Sequence, residues 1–144
     1  MKRIYLAGRY SRIDELNLYA TQLREFEFII DCQWLKGSHQ LSDEALTVEN
    51  ATETTPIEGK LFALEDFNDV CHADWVICFT EKPHSGHSRG GRHVEMGLAL
   101  AWNKRVTVVG PRENIFCCLP QIQHYSNFNE LLHNLKSSKN DNCC

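Results

Sequence analysis

Ser85-Gly86-His87-Ser88-Arg89-Gly90-Gly91-Arg92-His93-Val94-Glu95-Met96-Gly97-Leu98 is the stretch on which the reading of this chain turns. Ahead of it runs Trp75-Val76-Ile77-Cys78-Phe79, continuously apolar, as in a strand buried on both faces. Behind it, Val94 to Trp102 reads as a helix. A glycine-rich turn from a strand into a helix gathers backbone N–H groups and the positive end of the helix dipole at one spot. There the sequence sets one carboxylate, Glu95, among His87, Arg89, Arg92 and His93. In the first turn the dipole favours the ionised form of Glu95. A carboxylate held charged at a pocket mouth suits a nucleophile or a general base. Spacing alone fits equally well a glutamate that only complements the helix terminus.

Arg3-Ile4-Tyr5-Leu6-Ala7, closed by Gly8, gives a first strand with Gly8–Arg12 as its outgoing loop. Ser11 and Asp14 have capping-box character, and Ile13, Leu16, Ala20 and Leu23 share one helical face. Phe26 to Trp34, aromatic and β-branched, reads as a second strand and completes a right-handed β-α-β unit. Leu61, Leu64, Phe67, Val70 and Cys71 mark a helix before a third strand at 75–80. Glu65, Asp66 and Asp69 lie on that helix, where a solvated face is the default for charges. Arg105–Val109 is a fourth strand, Ile122–Tyr125 a short fifth, and Ser126–Leu135 a last helix with Leu131, Leu132 and Leu135 inward. Residues 36–60 show no apolar stripe; a connection of that length suits a lid, with a short helix around Asp43–Leu46.

The pattern predicts one α/β domain over 1–136, a doubly wound three-layer sandwich with a parallel sheet of four to five strands (flavodoxin/Rossmann-like). A polar, disordered tail over 137–144 follows. In such sheets ligands sit beyond the carboxyl ends of the strands, a rim that collects Gly8–Arg12, Thr80–Glu95 and Gly110–Asn114.

Composition narrows the partners. With 144 residues and a net charge of -4, the arginine-rich loop is a local feature of an acidic chain. That favours a small anionic ligand over a nucleic-acid polymer. The seven cysteines are odd in number and form no CxxC pair; Cys32, Cys71 and Cys78 read as reduced core thiols of a cytoplasmic protein. No apolar run approaches membrane-spanning length. The Lys-Ser/Thr of a P-loop and the GxGxxG of a dinucleotide fold are both missing. His93-Val94-Glu95 matches the H-x-E of zinc deaminases, but Cys117-Cys118-Leu119-Pro120 does not supply their P-C-x-x-C. The expectation is no metal and no organic cofactor.

Tyr5-Leu6-Ala7-Gly8, Asp66 eight residues before Asp74, and Gly91-x-x-x-Glu95-x-Gly97 with Ala99 together resemble the nucleoside 2-deoxyribosyltransferase-like family, including its 2'-deoxynucleoside 5'-monophosphate N-glycosidases. The resemblance spans nearly the whole chain, and the Gly-Gly-x-x-x-Glu helix start is its most specific piece. It implies that Glu95 attacks C1' of the sugar as a nucleophile, that Asp66 contacts the base or protonates it as it leaves, and that Tyr5 hydrogen-bonds the nucleophile. It also implies, for the nucleotide-cleaving members, that the loop Gly8–Arg12, with Gly8 and Arg9, helps to hold a 5'-phosphate. Cleaving an N-glycosidic bond passes through an oxocarbenium-like state, which an adjacent anion stabilises and captures. For these roles Asp66 needs a raised pKa while Glu95 stays ionised.

Two departures accompany the resemblance. Six residues before the nucleophile, the family's transferases carry aspartate and its monophosphate hydrolases serine; this chain has Arg89. Arg89, with Arg9, Arg12, Arg92 and Arg112 and beside Ser88 and Gly91, can form an anion site, although any one arginine can instead pair with the chain's carboxylates. The asparagine that a neighbouring subunit supplies in the transferases has no assigned counterpart here, and a homodimer or higher assembly follows from the family alone. Two rivals use the same residues. One is a silent nucleotide-sensing module with Arg89 locked on Glu95, the other a glycosidase of a signalling or NAD-like nucleotide.

Overall fold

The computed structural model describes residues 1–37, 39–42, 57–86 and 88–141. The expected helix at Asp43–Leu46, most of the expected lid and His87 lie outside the described residues.

Four parallel strands form one sheet in the order β1 (Ile4–Ala7), β2 (Trp75–Phe79), β3 (Arg105–Val109), β4 (Gln123–Tyr125). All of β1 and β2 is buried, as continuous apolar runs in a covered parallel sheet require. Among the described residues the α-helices are α1 (Ile13–Arg24), α2 (Ile57–His72), α3 (Gly91–Ala101) and α4 (Phe128–Asp141). Register sets Tyr5 beside Val76 and Ala7 beside Cys78, on the face covered by α3. Leu6 and Ile77 point the opposite way, with Phe79. There Tyr19 of α1 stacks on Phe79 and on Phe128 of α4 at 5.4 and 3.9 Å, and those two rings meet at 6.0 Å, tying both helices to the second face. On the first face α2 packs on α3, with Phe67 edge-on to Trp102 at 5.1 Å. The α/β sandwich read from the sequence is the observed architecture, with four strands.

The expected second strand over Phe26–Trp34 is a correction. Glu27 takes a left-handed backbone (φ 65°), and only Ile29 pairs with Arg3, in one parallel bridge. The two bonds of that bridge are Ile4 N–H to Ile29 O (2.8 Å) and Ile29 N–H to Lys2 O (3.0 Å). Further along, side chains replace the missing strand. Leu6 N–H donates to Cys32 Sγ (3.4 Å), and Trp34 Nε1–H donates to Leu6 O (2.9 Å). Residues Gln33–Lys36 are a 3-10 turn. The segment still lies across β1 from β2, so the chain builds outward from β1 first to one side and then to the other, and the gap between β1 and β2 is the switch point where doubly wound sheets bind ligands.

Other expectations are adjusted. Ser11 makes no cap; it lies inside a 3-10 turn, Tyr10–Arg12, that runs directly into α1. Cys32 and Cys78 are buried thiols, but Cys71 is exposed. The last helix continues to Asp141, so residues 137–141 are helical rather than tail; Ser137 and Ser138 bond back to His133 O and Asn134 O. No helix among the described residues is long and apolar enough to cross a membrane.

The largest adjustment concerns α2. Leu61, Leu64 and Phe67 are exposed (53%, 58% and 45%), while Val70 is buried and Phe62, Asp66 and Asp69 are partly so. The inward stripe of this helix therefore carries two carboxylates. Asp69 Oδ2 accepts Gln33 N–H at 2.7 Å and so anchors the 3-10 turn.

Trp34→Phe keeps the ring and leaves the buried Leu6 carbonyl without its donor, a loss of roughly 1–3 kcal/mol. Urea unfolding followed by circular dichroism checks it, with the midpoint falling and the slope unchanged.

Candidate active site

Glycine begins the site. Gly90 holds a left-handed backbone (φ 83°) as the N-cap of α3, which a side chain would strain. Its N–H donates to Ser88 Oγ at 3.2 Å. The helix starts at Gly91, so Glu95 opens the second turn and the first turn contains no carboxylate. The expectation that the dipole keeps Glu95 ionised is thus corrected: the helix end is left for another anion. At the exit of β1, a methyl group on Gly8 would come within 2.7 Å of Leu16 Cδ2, so glycine lets α1 close on the strand.

Glu95 looks into a cavity of about 780 Å³ at the β1/β2 switch point. Tyr5, 1% exposed, donates its hydroxyl proton to Glu95 Oε1 at 2.8 Å. Burial and the Glu95 charge hold the Tyr5 phenol well above its ordinary pKa, so it remains a donor. Burial pushes Glu95 up to about 7; the Tyr5 hydrogen bond opposes this, the Asp66 charge adds to it, and the Arg92 charge opposes it. Asp66 lines the same cavity from α2 and is raised to about 6, again chiefly by burial, with His39 opposing and Asp69 and Glu65 reinforcing. The raised Asp66 agrees in direction with the role inferred from the resemblance; the raised Glu95 does not. Glu95 is largely and Asp66 partly removed from water, and among the described residues neither has a close ion pair to restore its charge.

Of the expected binding residues, Gly8, Arg9, Ser88, Arg89, Gly91 and Arg92 line the cavity with Glu95 and Asp66. Arg9 Nη1 donates to Ser85 O (3.1 Å), and Arg89 Nη1 to Leu41 O (2.6 Å). Arg92 is buried and forked onto Glu113, with Nη2–Oε2 at 2.7 Å; its Nε has no hydrogen-bond partner among the described residues. Arg112 is exposed on the loop after β3 and does not line the cavity, and Arg12 is taken up by Glu15 and Glu81 beside a different pocket. No group of three or more potential metal ligands gathers among the described residues.

Tyr10 and Ser11 of the expected rim also line the cavity, and sequence reading missed Trp34, His39 and Gln40, which line it too. The His39 ring lies over Phe62 at 4.5 Å, with Nε2 2.7 Å from Glu65 Oε2 and 3.9 Å from Asp66 Oδ1. Neither His39 Nε2 nor Asp66 Oδ1 has an aligned hydrogen bond among the described residues. Only a three-dimensional register could have found His39, since its neighbours in sequence show no pattern. The cavity lining brings together a carboxylate with a phenol donor, a carboxyl raised by burial beside aromatic surfaces, and cations at a helix start without a side-chain cap.

Comparison with known proteins bears on the fold. The CMP N-glycosidase BcmB of Clostridium botulinum superposes with a TM-score of 0.60 at 17% identity, covering 94% of this chain and 99% of that one. A 2-deoxyribosyltransferase from the psychrotolerant bacterium Bacillus psychrosaccharolyticus gives 0.61 at 13% identity, with 90% of each chain covered. A conserved protein from Enterococcus faecalis V583 gives 0.53 at 16% identity, over 96% and 99%. No protein-family model matches the chain, and no curated protein matches it by sequence. The chain therefore has the fold of nucleoside 2-deoxyribosyltransferase-like proteins, the family its sequence motifs resemble.

Glu95→Gln tests the electrostatics without any substrate. The folded-state pKa of Glu95 is raised, so the native chain holds a proton that the unfolded chain has lost between about pH 4.5 and about 7. Stability from this group is present at low pH and falls as pH rises through that window. The glutamine variant escapes the loss and gains on the order of 2 kcal/mol at about pH 8, most of it gone by about pH 5. Thermal melts of both proteins across that range measure the difference.

Proposed function

We propose that this protein cleaves the N-glycosidic bond of a 2'-deoxynucleoside or, preferentially, its 5'-monophosphate. The observation that carries the reading is the 2.8 Å hydrogen bond from Tyr5 to Glu95 on the floor of a cavity that also holds Asp66. A buried carboxylate oriented by a buried phenol has one oxygen fixed and the other available for attack. Glu95 forms a bond to C1' as the bond from C1' to the base nitrogen breaks, and Asp66 gives its proton to the departing base. Water then opens the glycosyl ester, or a second base takes its place. The developing positive charge at the sugar favours ionised Glu95, and burial raises Asp66 to about 6, toward the protonated form that an acid needs.

Preference for a phosphate monoester rests on the anion end. Arg9, Arg89 and Ser88 line the cavity beside the start of α3, whose N-cap has no side-chain bond. The buried Arg92 Nε stands at the same end. The structural neighbours named for N-glycosidase and 2-deoxyribosyltransferase activities support the same class of bond. A cytoplasmic homodimer or higher assembly and independence of metals and organic cofactors complete the proposal. The sensing alternative relied on Arg89 neutralising Glu95; the cation bearing on Glu95 is instead Arg92.

A chromatographic assay for released base, over nucleosides and their 5'-monophosphates, tests the reading: the wild type releases base, and Glu95→Ala falls by at least about a thousandfold with the fold retained. Base release persisting in that variant refutes the nucleophile. The activity is also expected to be bell-shaped in pH. Below about 6 both carboxyls are protonated and the nucleophile is lost; above about 7 both are ionised and the acid is lost. A kcat/KM profile with its maximum between these limbs fits, because the productive state of a coupled pair is its singly protonated one. Asp66→Asn slows natural bases far more than activated leaving groups, which need no proton; equal slowing removes Asp66 from the acid role.

A further inference from the structure

Between the 3-10 turn at Gln33–Lys36 and α2, the described residues 39–42 form no regular element, yet they supply His39 to the cavity wall. On one side they are held by His39 itself, through the ring contact with Phe62 and the approach to Glu65. On the other side the bond from Arg89 Nη1 to Leu41 O, at 2.6 Å, links this segment to the loop that opens α3. That loop is fixed in turn by the Gly90 N–H to Ser88 Oγ bond and the left-handed Gly90.

We propose that Arg89 is a positioning residue: it straps the 39–42 segment to the loop before α3, and so holds His39 against Asp66 at the end of the cavity that receives the base. The inference rests on the reading of the cavity given under Proposed function. A charged donor on a backbone carbonyl makes a short, strong bond. The planar guanidinium presents donors along two edges, which lets one side chain serve two acceptors at once. A residue that only clamped phosphate would have no need of the Leu41 bond. Because Arg89 lies six residues ahead of Glu95, the strap makes the loop leading to the nucleophile and the wall beside the acid move as one. A lysine has a single nitrogen to offer and reproduces the strap only in part.

Hydrogen exchange and NMR of the unliganded full chain read the strap directly. In Arg89→Ala the amides of residues 39–42 exchange about tenfold faster, as loss of a local tether produces. The His39 ring protons lose the ring-current shift imposed by Phe62, while amides of α2 and α3 keep their protection. Arg89→Lys recovers part of both signals. In the base-release assay, Arg89→Ala lowers kcat for a nucleoside and its 5'-monophosphate alike. Unchanged exchange and unchanged His39 signals in Arg89→Ala overturn the proposal. So does a defect confined to KM for the monophosphate, the signature of a phosphate clamp alone. If the wild type releases no base, the functional reading fails, and the exchange and His39 signals alone decide the strap.

Discussion

The hydrogen bond from Tyr5 to Glu95 is the interaction on which the site depends, because it joins two groups that each need the other in a water-poor place. A buried phenol requires an acceptor, and a buried carboxylate requires donors. Tyr5 is held by the sheet, paired beside Val76 with essentially no freedom, so it fixes where Glu95 can lie. Glu95 in turn sets how α3 seats on the sheet. The sheet thus acts as a ruler for the reactive oxygen, and the left-handed Gly90 lets the chain turn into α3.

Burial that positions the carboxyls also controls their protons. Glu95 and Asp66 are both raised, so between about pH 6 and 7 the pair holds about one proton rather than carrying two full charges. Arg92 moderates this from a distance, its own charge largely spent on Glu113. Such a pair is costly to the fold and useful only if something cationic develops between its members. The cost is consistent with a site kept for chemistry rather than for packing.

Much of this was legible in the sequence, and the failures have physical causes. The apolar runs at Ile4–Ala7 and Trp75–Phe79 were readable as strands because both faces are covered. The glycine-rich helix start was readable because few backbones other than glycine enter it. Phe26–Trp34 misled because its aromatic and sulfur side chains do the work of a strand by bonding the β1 backbone from the side, a substitution that composition does not reveal. α2 misled in the opposite sense: its apolar stripe of Leu61, Leu64 and Phe67 faces outward, and its inward stripe is partly acidic. Periodicity assumes that a helix buries its apolar face, and that assumption fails where a helix forms the wall of a polar cavity. Glu113, the partner that takes Arg92 out of the cation count, is twenty-one residues away and had no sequence signal. Likewise His39 reaches the site through a segment without pattern.

The central claim is that Glu95 becomes covalently bonded to the sugar. Rapid acid quench of the protein with a nucleoside 5'-monophosphate, followed by intact-mass and peptide mass spectrometry, tests it most directly. The account predicts a transient mass gain equal to the sugar phosphate, located on the peptide containing Glu95 and absent from Glu95→Gln. Base release with the sugar phosphate attached to any other residue would contradict it.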